Sequence, residues 1–199
     1  MAKPETEQLI VKPSAENLAS AAKSAGKKGP PPVHLWNPPF CGDLDMEIRR
    51  DGTWFYLGTP IGRYPLVKLF SSIIRKDGDA YFLVTPVEKV GIRVADAPFV
   101  AVDANASGSG RDQSITFTTN VEDEVTAGTD HPIRVTRDPK TGEPSPYVLI
   151  RRNLEALIDR KTFYRLIELG AHHEVAGISW FGLWSGGEFF PVIPSADLT

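Results

Sequence analysis

The sequence predicts an α+β protein built from two related units, each an antiparallel sheet with a helix. The first observation behind this is an internal repeat. Residues 61–70 (IGRYPLVKLF) return as residues 158–167 (IDRKTFYRLI), and an ungapped overlay aligns Ile61/Ile158, Arg63/Arg160 and Leu69/Leu166 as identities. Leu66/Phe163, Val67/Tyr164, Lys68/Arg165 and Phe70/Ile167 keep their character, and Ile48-Arg49-Arg50 and Ile150-Arg151-Arg152 stand ahead of the two copies. Such self-similarity marks one supersecondary unit built twice. The second observation is the abundance of short strand-like runs between turn signals, against few segments of helical period.

Composition bounds the rest. The chain has 199 residues, 41% of them hydrophobic and 24% charged, ordinary values for a chain that buries a core. A net charge of −3 argues against a nucleic-acid binder of the whole-surface kind. It leaves room for a small anionic ligand, which needs only two or three Arg or Lys. Cys41 is the single cysteine, so no intrachain disulfide forms and a reducing compartment fits. Residues 1–13 hold no apolar core of signal-peptide length, and no apolar run reaches the roughly 20 residues that span a bilayer. The expectation is a cytoplasmic protein without membrane insertion.

Taken in order, residues 1–29 are rich in Ala, Ser, Lys and Glu and predict a flexible arm ending at Lys27-Lys28-Gly29. A helix over 15–25 would bury only Leu18 as a large side chain, and short isolated helices are marginal in water. Residues 30–43 (PPPVHLWNPPFCGD) are extended, since proline fixes φ and removes donors. Val33, Leu35, Trp36 and Phe40 are too apolar for a free linker, so this segment predicts an ordered strap anchored by Trp36 and Phe40.

The first unit, 44–104, opens with a hairpin turned at Asp51-Gly52, where Met46 and Ile48 alternate with Glu47 and Arg49. Pro65 suits a helix start, and Leu66, Leu69, Phe70, Ile73 and Ile74 follow on one face, with Arg75 and Lys76 in the last turn and Gly78 as the stop. Strands are expected over 80–84, 88–94 and 99–103. Residues 104–112 (ANASGSGRD) read as the plainest turn or linker. The second unit, 105–199, predicts strands over 114–119, 121–125 and 133–135 with a turn at Gly128, and another turn over 138–142. A strand over 147–151 opens the second copy, Asn153-Leu154-Glu155 is its hairpin turn, and Phe163, Leu166, Ile167 and Gly170 share a helix face. Strands over 178–184 and 189–193, turning at Ser185-Gly186-Gly187, close it.

No catalytic or cofactor motif stands out, so the chain reads as non-enzymatic and without cofactor. His34, Cys41, Asp43 and Asp45 carry ligand-type side chains within a dozen residues and raise the alternative of a small metal-dependent hydrolase. Zinc sites show tighter pairs than this, and Cys41 reads more simply as a small buried residue. His172-His173-Glu174 lacks the H-E-x-x-H spacing; two histidines beyond a helix C-terminus suit the helix dipole. No serine sits in a G-x-S-x-G elbow, and Gly108-Ser109-Gly110-Arg111 lacks the Lys-Ser/Thr and the following helix of a phosphate loop.

The arginines recur in a pattern: Arg49-Arg50 with Arg151-Arg152, and Arg63 with Arg160. Packed about a pseudo-twofold, equivalent arginines would converge on one anion, because the planar guanidinium fork donates two parallel bonds to phosphate or carboxylate. The plainer reading is a solvated charged face. Most aromatics in 54–56 and 180–184 belong to the core, although an outward Trp or Tyr can stack on a base or meet another chain in a structural, partner-binding protein.

The run PPVHLWNPPFCGDLDMEIRRDGTWFYLGTPIGR, with LFSSIIRKDGDAYFLVTPVEKVGIRVADAPFVAV after it, resembles an uncharacterised bacterial family, domain of unknown function twelve eighty-five. The resemblance extends from about residue 30 to 193. It implies a duplicated α+β fold whose C-terminal half is loosely similar to pleckstrin-homology domains. It also implies a site where the halves meet for a nucleotide-like molecule, and a signalling role with a protein partner. The residues it points to are His34, Trp36, Asn37, Asp43, Asp45, Arg49 and Arg63. In that expectation Arg49 and Arg63 hold the anionic group, Trp36 stacks on the planar one, and Asn37 or Asp45 hydrogen-bonds it. Likeness of fold does not carry phosphoinositide binding with it.

Overall fold

A computed structural model describes residues 13–25 and 30–198; the expectations for residues 1–12 and for Lys27, Lys28 and Gly29 lie outside the described residues. Among the described residues the chain is mostly β-structure with three α-helices, α1 (Ala15–Ala25), α2 (Tyr64–Ser72) and α3 (Arg160–Ile167). It divides into two compact units. One comprises Met1–Glu47 and Phe55–Arg93, the other Ile48–Trp54 and Val94–Thr199.

The first unit holds a six-stranded sheet of β1 (Phe40–Ile48), β2 (Trp54–Tyr56), β3 (Thr59–Pro60), β4 (Ile74–Asp77), β5 (Ala80–Val84) and β6 (Lys89–Val94), in the order β3-β2-β1-β6-β5-β4. Pro65 sits in the first turn of α2, which buries Val67, Phe70 and Ser71. The helix ends sooner than its spacing predicts. Ile74 to Asp77 are not its last turn but strand β4, paired Ile74↔Leu83 to Asp77↔Ala80 across a turn at Gly78, whose φ is +60°. As a strand residue Ile74 is fully buried and has a ladder partner in Leu83. The hydroxyls of Ser71 and Ser72 bond back to the carbonyls of Lys68 (2.7 Å) and Leu69 (2.6 Å) where the helix stops.

Where the composition predicts a mobile arm, residues 15–25 form α1 and pack on α2. Leu18 is wholly buried, flanked by Ala15, Ala19 and Ala22. Small side chains let the two helices approach closely, and tertiary packing holds a helix too short to persist alone. The strap, residues 30–43, meets a side chain of β4. Arg75 donates to the carbonyls of Val33 (3.1 Å) and Trp36 (2.6 Å) while its Nη2 pairs with Asp77 at 2.9 Å. Its anchor is Val33, which is buried; Trp36 is half-buried. Phe40, expected as an anchor, is 57% exposed, its ring edge-on to Phe82 at 6.1 Å.

The second unit holds a six-stranded sheet of β7 (Phe99–Ser107), β8 (Ser114–Thr119), β9 (Glu124–Thr126), β10 (Ile133–Arg137), β11 (Pro144–Arg151) and β12 (Leu154–Ile158), in the order β10-β11-β12-β7-β8-β9. A three-stranded sheet of β13 (Ala171–Val175), β14 (Ile178–Ser185) and β15 (Glu188–Pro194) accompanies it. The linker expected over 104–112 is half strand, because Asn105, Ala106 and Ser107 pair with Thr116, Ile115 and Ser114. The β11–β12 turn is Arg152-Asn153, with Arg152 at φ +53°; Leu154 and Glu155 already belong to β12. His172-His173-Glu174 do not trail a helix end but form most of β13, opposite Phe181, Trp180 and Ser179. The approach is possible because residue 170 is glycine: a Cβ there would fall 2.1 Å from the Phe181 ring.

Ser185 ties the two sheets of this unit together. Its Oγ accepts from the Ile115 amide (2.8 Å) and donates to the Ala127 carbonyl (2.7 Å), and Gln113 Nε2 donates to the Trp184 carbonyl (2.8 Å). The repeat survives at the level of elements. Hairpin, helix and three-stranded meander occur as β1–β2, α2, β4–β5–β6 and again as β11–β12, α3, β13–β14–β15. The overlay of Ile61 on Ile158, carried forward, sets the first residue of β4, Ile74, against the first of β13, Ala171. No described helix is long and apolar enough to cross a membrane.

Candidate functional site

The corner between β12 and α3 brings chemistry together. Asp159 leaves the strand in extended conformation and caps the helix, its Oδ1 accepting from the Thr162 amide at 2.7 Å. Arg160 follows in the first turn, exposed. Beside them β11 contributes Pro144 and Pro146, and the Asp51-Gly52 turn contributes Arg50. Gly52 is required there: its φ is +82°, and a Cβ would fall 2.6 Å from Asn120 Nδ2. Arg50, Pro144, Pro146, Asp159 and Arg160 line a groove of about 340 Å³ together with the apolar Leu157, Ile158 and Phe163 and with Tyr164 and Glu143. A second hollow, of about 450 Å³, is lined by Val100, Val102 and Asp51 and shares Arg50, Leu157, Asp159 and Arg160.

The two arginines are held differently. Arg50 Nη1 pairs with Asp96 Oδ2 at 2.7 Å, and its Nη2 donates to Ser145 Oγ at 2.9 Å. Asp96 in turn accepts the Tyr147 hydroxyl at 2.8 Å. Burial raises the Tyr147 pKa above its ordinary value, and the bond to Asp96 raises it further. The Arg134 guanidinium covers the Tyr147 ring at 4.2 Å and forks onto Glu155. Arg50 is thus aimed by a chain of bonded side chains while remaining 59% exposed. Arg160 donates to the Tyr164 hydroxyl at 3.2 Å, one helical turn on, and that bond with the nearby Glu143 charge raises its pKa. Two cations, apolar side chains and a phenol ring meet in one groove.

The residues expected from the sequence lie elsewhere. His34 and Asn37 are exposed on the strap, where the carbonyl of Trp36 is bound by Arg75. Asp43 and Asp45 share a face of β1. Asp43 lies over Gly91, where a Cβ would fall 2.0 Å from its Oδ1, and Asp45 pairs with Arg93 at 2.7 Å. That bond raises the Arg93 pKa, with Glu47 and Asp43 adding to it. Arg49 sits in the hairpin turn, and Arg63 precedes α2 as its N-cap residue without a side-chain cap bond. None of the seven lines the groove. The arginines that line the groove are Arg50, the neighbour of Arg49, and Arg160, the repeat counterpart of Arg63; the recurrence of both pairs is the signal the sequence carries for them.

The metal-dependent alternative has no ligand set. Among the described residues no three His, Cys, Asp or Glu gather as a metal site requires, and Cys41 spends its thiol on the Pro39 carbonyl at 3.5 Å. A serine–histidine contact does occur, His172 Nδ1 to Ser195 Oγ at 2.8 Å, with Ser179 Oγ 2.9 Å from Ser195. Among the described residues no carboxylate bonds His172 to orient it, so the third member of a nucleophilic triad is missing.

A family model described as "Domain of unknown function (DUF1285), N-terminal domain" matches residues 31–97, and "Protein of unknown function (DUF1285), C-terminal domain" matches residues 98–192. The crystal structure of a DUF1285 family protein from Silicibacter pomeroyi DSS-3 is similar at 60% identity and a TM-score of 0.82, over 91% of this chain and 97% of that one. Another DUF1285 family protein, from Shewanella baltica OS155, is similar at 28% identity and a TM-score of 0.49, over 63% of this chain and 91% of that one. No curated protein matches.

Proposed function

We propose that this chain, which belongs to the DUF1285 family, is a non-enzymatic binding module for a nucleotide-like anion held in the Arg50–Arg160 groove of its second unit. The observation that carries the reading is the convergence of two guanidiniums, distant in sequence, on one groove with an apolar wall. Guanidinium forks suit phosphate oxygens. Leu157 and Phe163 offer apolar surface to a planar ring, and Tyr164 offers a ring to stack on.

Charge narrows the ligand class. Glu143 and Asp159 line the same groove, so the two arginine charges are balanced. A polyphosphate would meet carboxylates as well as cations. A single phosphate with a sugar is the better match, since its hydroxyls can donate to those carboxylates. A groove that pairs two arginines with two carboxylates beside an apolar wall suits reversible holding of such a ligand, which fits a signalling role.

The test is thermal melting of the purified protein against nucleoside monophosphates, cyclic nucleotides, triphosphates and inorganic phosphate. A ligand present at about a hundred times its dissociation constant stabilises by about 2.7 kcal/mol and lifts the melting temperature by several degrees. A monophosphate or cyclic nucleotide that does so supports the reading. A flat response to every nucleotide at millimolar concentration overturns it.

A further inference from the structure

Strand β13 is an edge: it pairs with β14 on one side and with no described strand on the other. Half of its backbone donors and acceptors therefore face outward, the arrangement that recruits another strand. Its repeat counterpart, β4, is also an edge but a guarded one. It carries Arg75, Lys76 and Asp77 in four residues, and Arg75 ties the strap carbonyls of Val33 and Trp36 against it. Strand β13 has neither lysine nor proline, and its hairpin exposes Val175 by 38% and Ile178 by 53%.

The β13 sequence, Ala171-His172-His173-Glu174-Val175, is complementary to itself. Set antiparallel to a second copy about a two-fold axis at His173, Ala171 faces Val175 and His172 faces Glu174 on both sides. Directly opposed side chains in an antiparallel pair interact, and this register gives two apolar pairs, two imidazole–carboxylate pairs and one His173–His173 pair on the axis, with no opposed carboxylates. Joined in this way, two three-stranded sheets become one of six strands, the size of each of the chain's other sheets.

We propose that β13 is the pairing edge of a homodimer, the second copy of this chain adding antiparallel through His173. The contact is isologous and closes at two subunits. One strand from each copy is a small interface, so the dimer dissociates on dilution.

The test is sedimentation equilibrium of the full chain from low micromolar to near-millimolar concentration. The expected result is a monomer on dilution and twice the monomer mass at the upper end. Glu174→Lys sets a cation opposite His172 and weakens association about ten-fold, whereas the charge-swapped double variant His172→Glu with Glu174→Lys recovers it. Circular dichroism confirms that each variant is folded; both residues are exposed. A wild-type chain that stays monomeric at the highest concentration overturns the proposal. So does a Glu174→Lys variant that associates as the wild type does.

Discussion

Arg50 Nη1 and Asp96 Oδ2 lie 2.7 Å apart, and the Tyr147 hydroxyl closes on the other oxygen of the same carboxylate at 2.8 Å. One carboxylate thus does two jobs. It satisfies a phenol within the second unit and fixes the direction of the arginine that lines the groove.

Replacing Asp96 by Ala removes both contacts. The Tyr147 hydroxyl is left buried without its acceptor, which costs about 1–3 kcal/mol in urea unfolding. The same change leaves Arg50 its bond to Ser145 but not its ion pair, so any ligand of the groove is also bound more weakly. Arg93, which pairs with Asp45 and lines neither hollow, serves as a control: Arg93→Met leaves ligand affinity unchanged.

Alkaline pH probes the same phenol. Tyr147 has a raised pKa in the folded chain, so its contribution to stability is whole below the unfolded value of about 10 and is lost as pH rises through the higher folded value. Denaturant melts across that window should show a decline that is smaller in Tyr147→Phe. Identical declines in both proteins would remove Tyr147 from the account.

At acid pH the strap is the sensitive element. Burial pushes the Asp77 carboxyl up, but hydrogen bonds from Arg75 and Lys89 outweigh it, and the net pKa lies below the usual carboxylate range. The stability so linked is present above the unfolded value of about 3.9 and is lost as pH falls through the lower folded value. Amide exchange at Val33 and Leu35 should quicken in that window, and in Asp77→Asn it should be quick at neutral pH as well.

Ser185 makes two buried bonds, to β8 and to the residue after β9, and Ser185→Ala leaves the Ile115 amide and the Ala127 carbonyl without it. A loss of about 2–3 kcal/mol is expected in urea unfolding, because unmet buried polar groups cost more than the bonds they replace. Thr116→Ala, which removes an exposed hydroxyl pair with Thr126, should cost far less.

The sequence was legible where local chemistry and tertiary packing agree. Asp51-Gly52 turns a hairpin because only glycine fits its backbone and its approach to Asn120, and the recurrence of Ile61 to Phe70 marks two helices that both form. It was illegible where packing overrides local preference. Ile73 and Ile74 continue a helical spacing, yet sheet pairing takes Ile74 into β4. Leu18 looks too solitary to hold a helix, yet three alanines let it reach full burial. The groove was half legible. Recurrence singled out the arginine positions, but which of each pair lines a groove depends on how the β12–α3 corner meets the hairpin turn, and no spacing encodes that.

The most direct test of the central claim is calorimetric titration of whichever nucleotide stabilises the protein, into wild type, Arg160→Ala and Arg63→Ala. Arg160 and Arg63 are equivalent in the repeat and both exposed, so the comparison isolates the groove. Binding weakened at least about ten-fold by Arg160→Ala and untouched by Arg63→Ala is the predicted result, the loss of a charge-assisted bond being worth about 1.5–3 kcal/mol. Binding lost in Arg63→Ala and kept in Arg160→Ala would contradict the account and move the site to the first copy of the repeat.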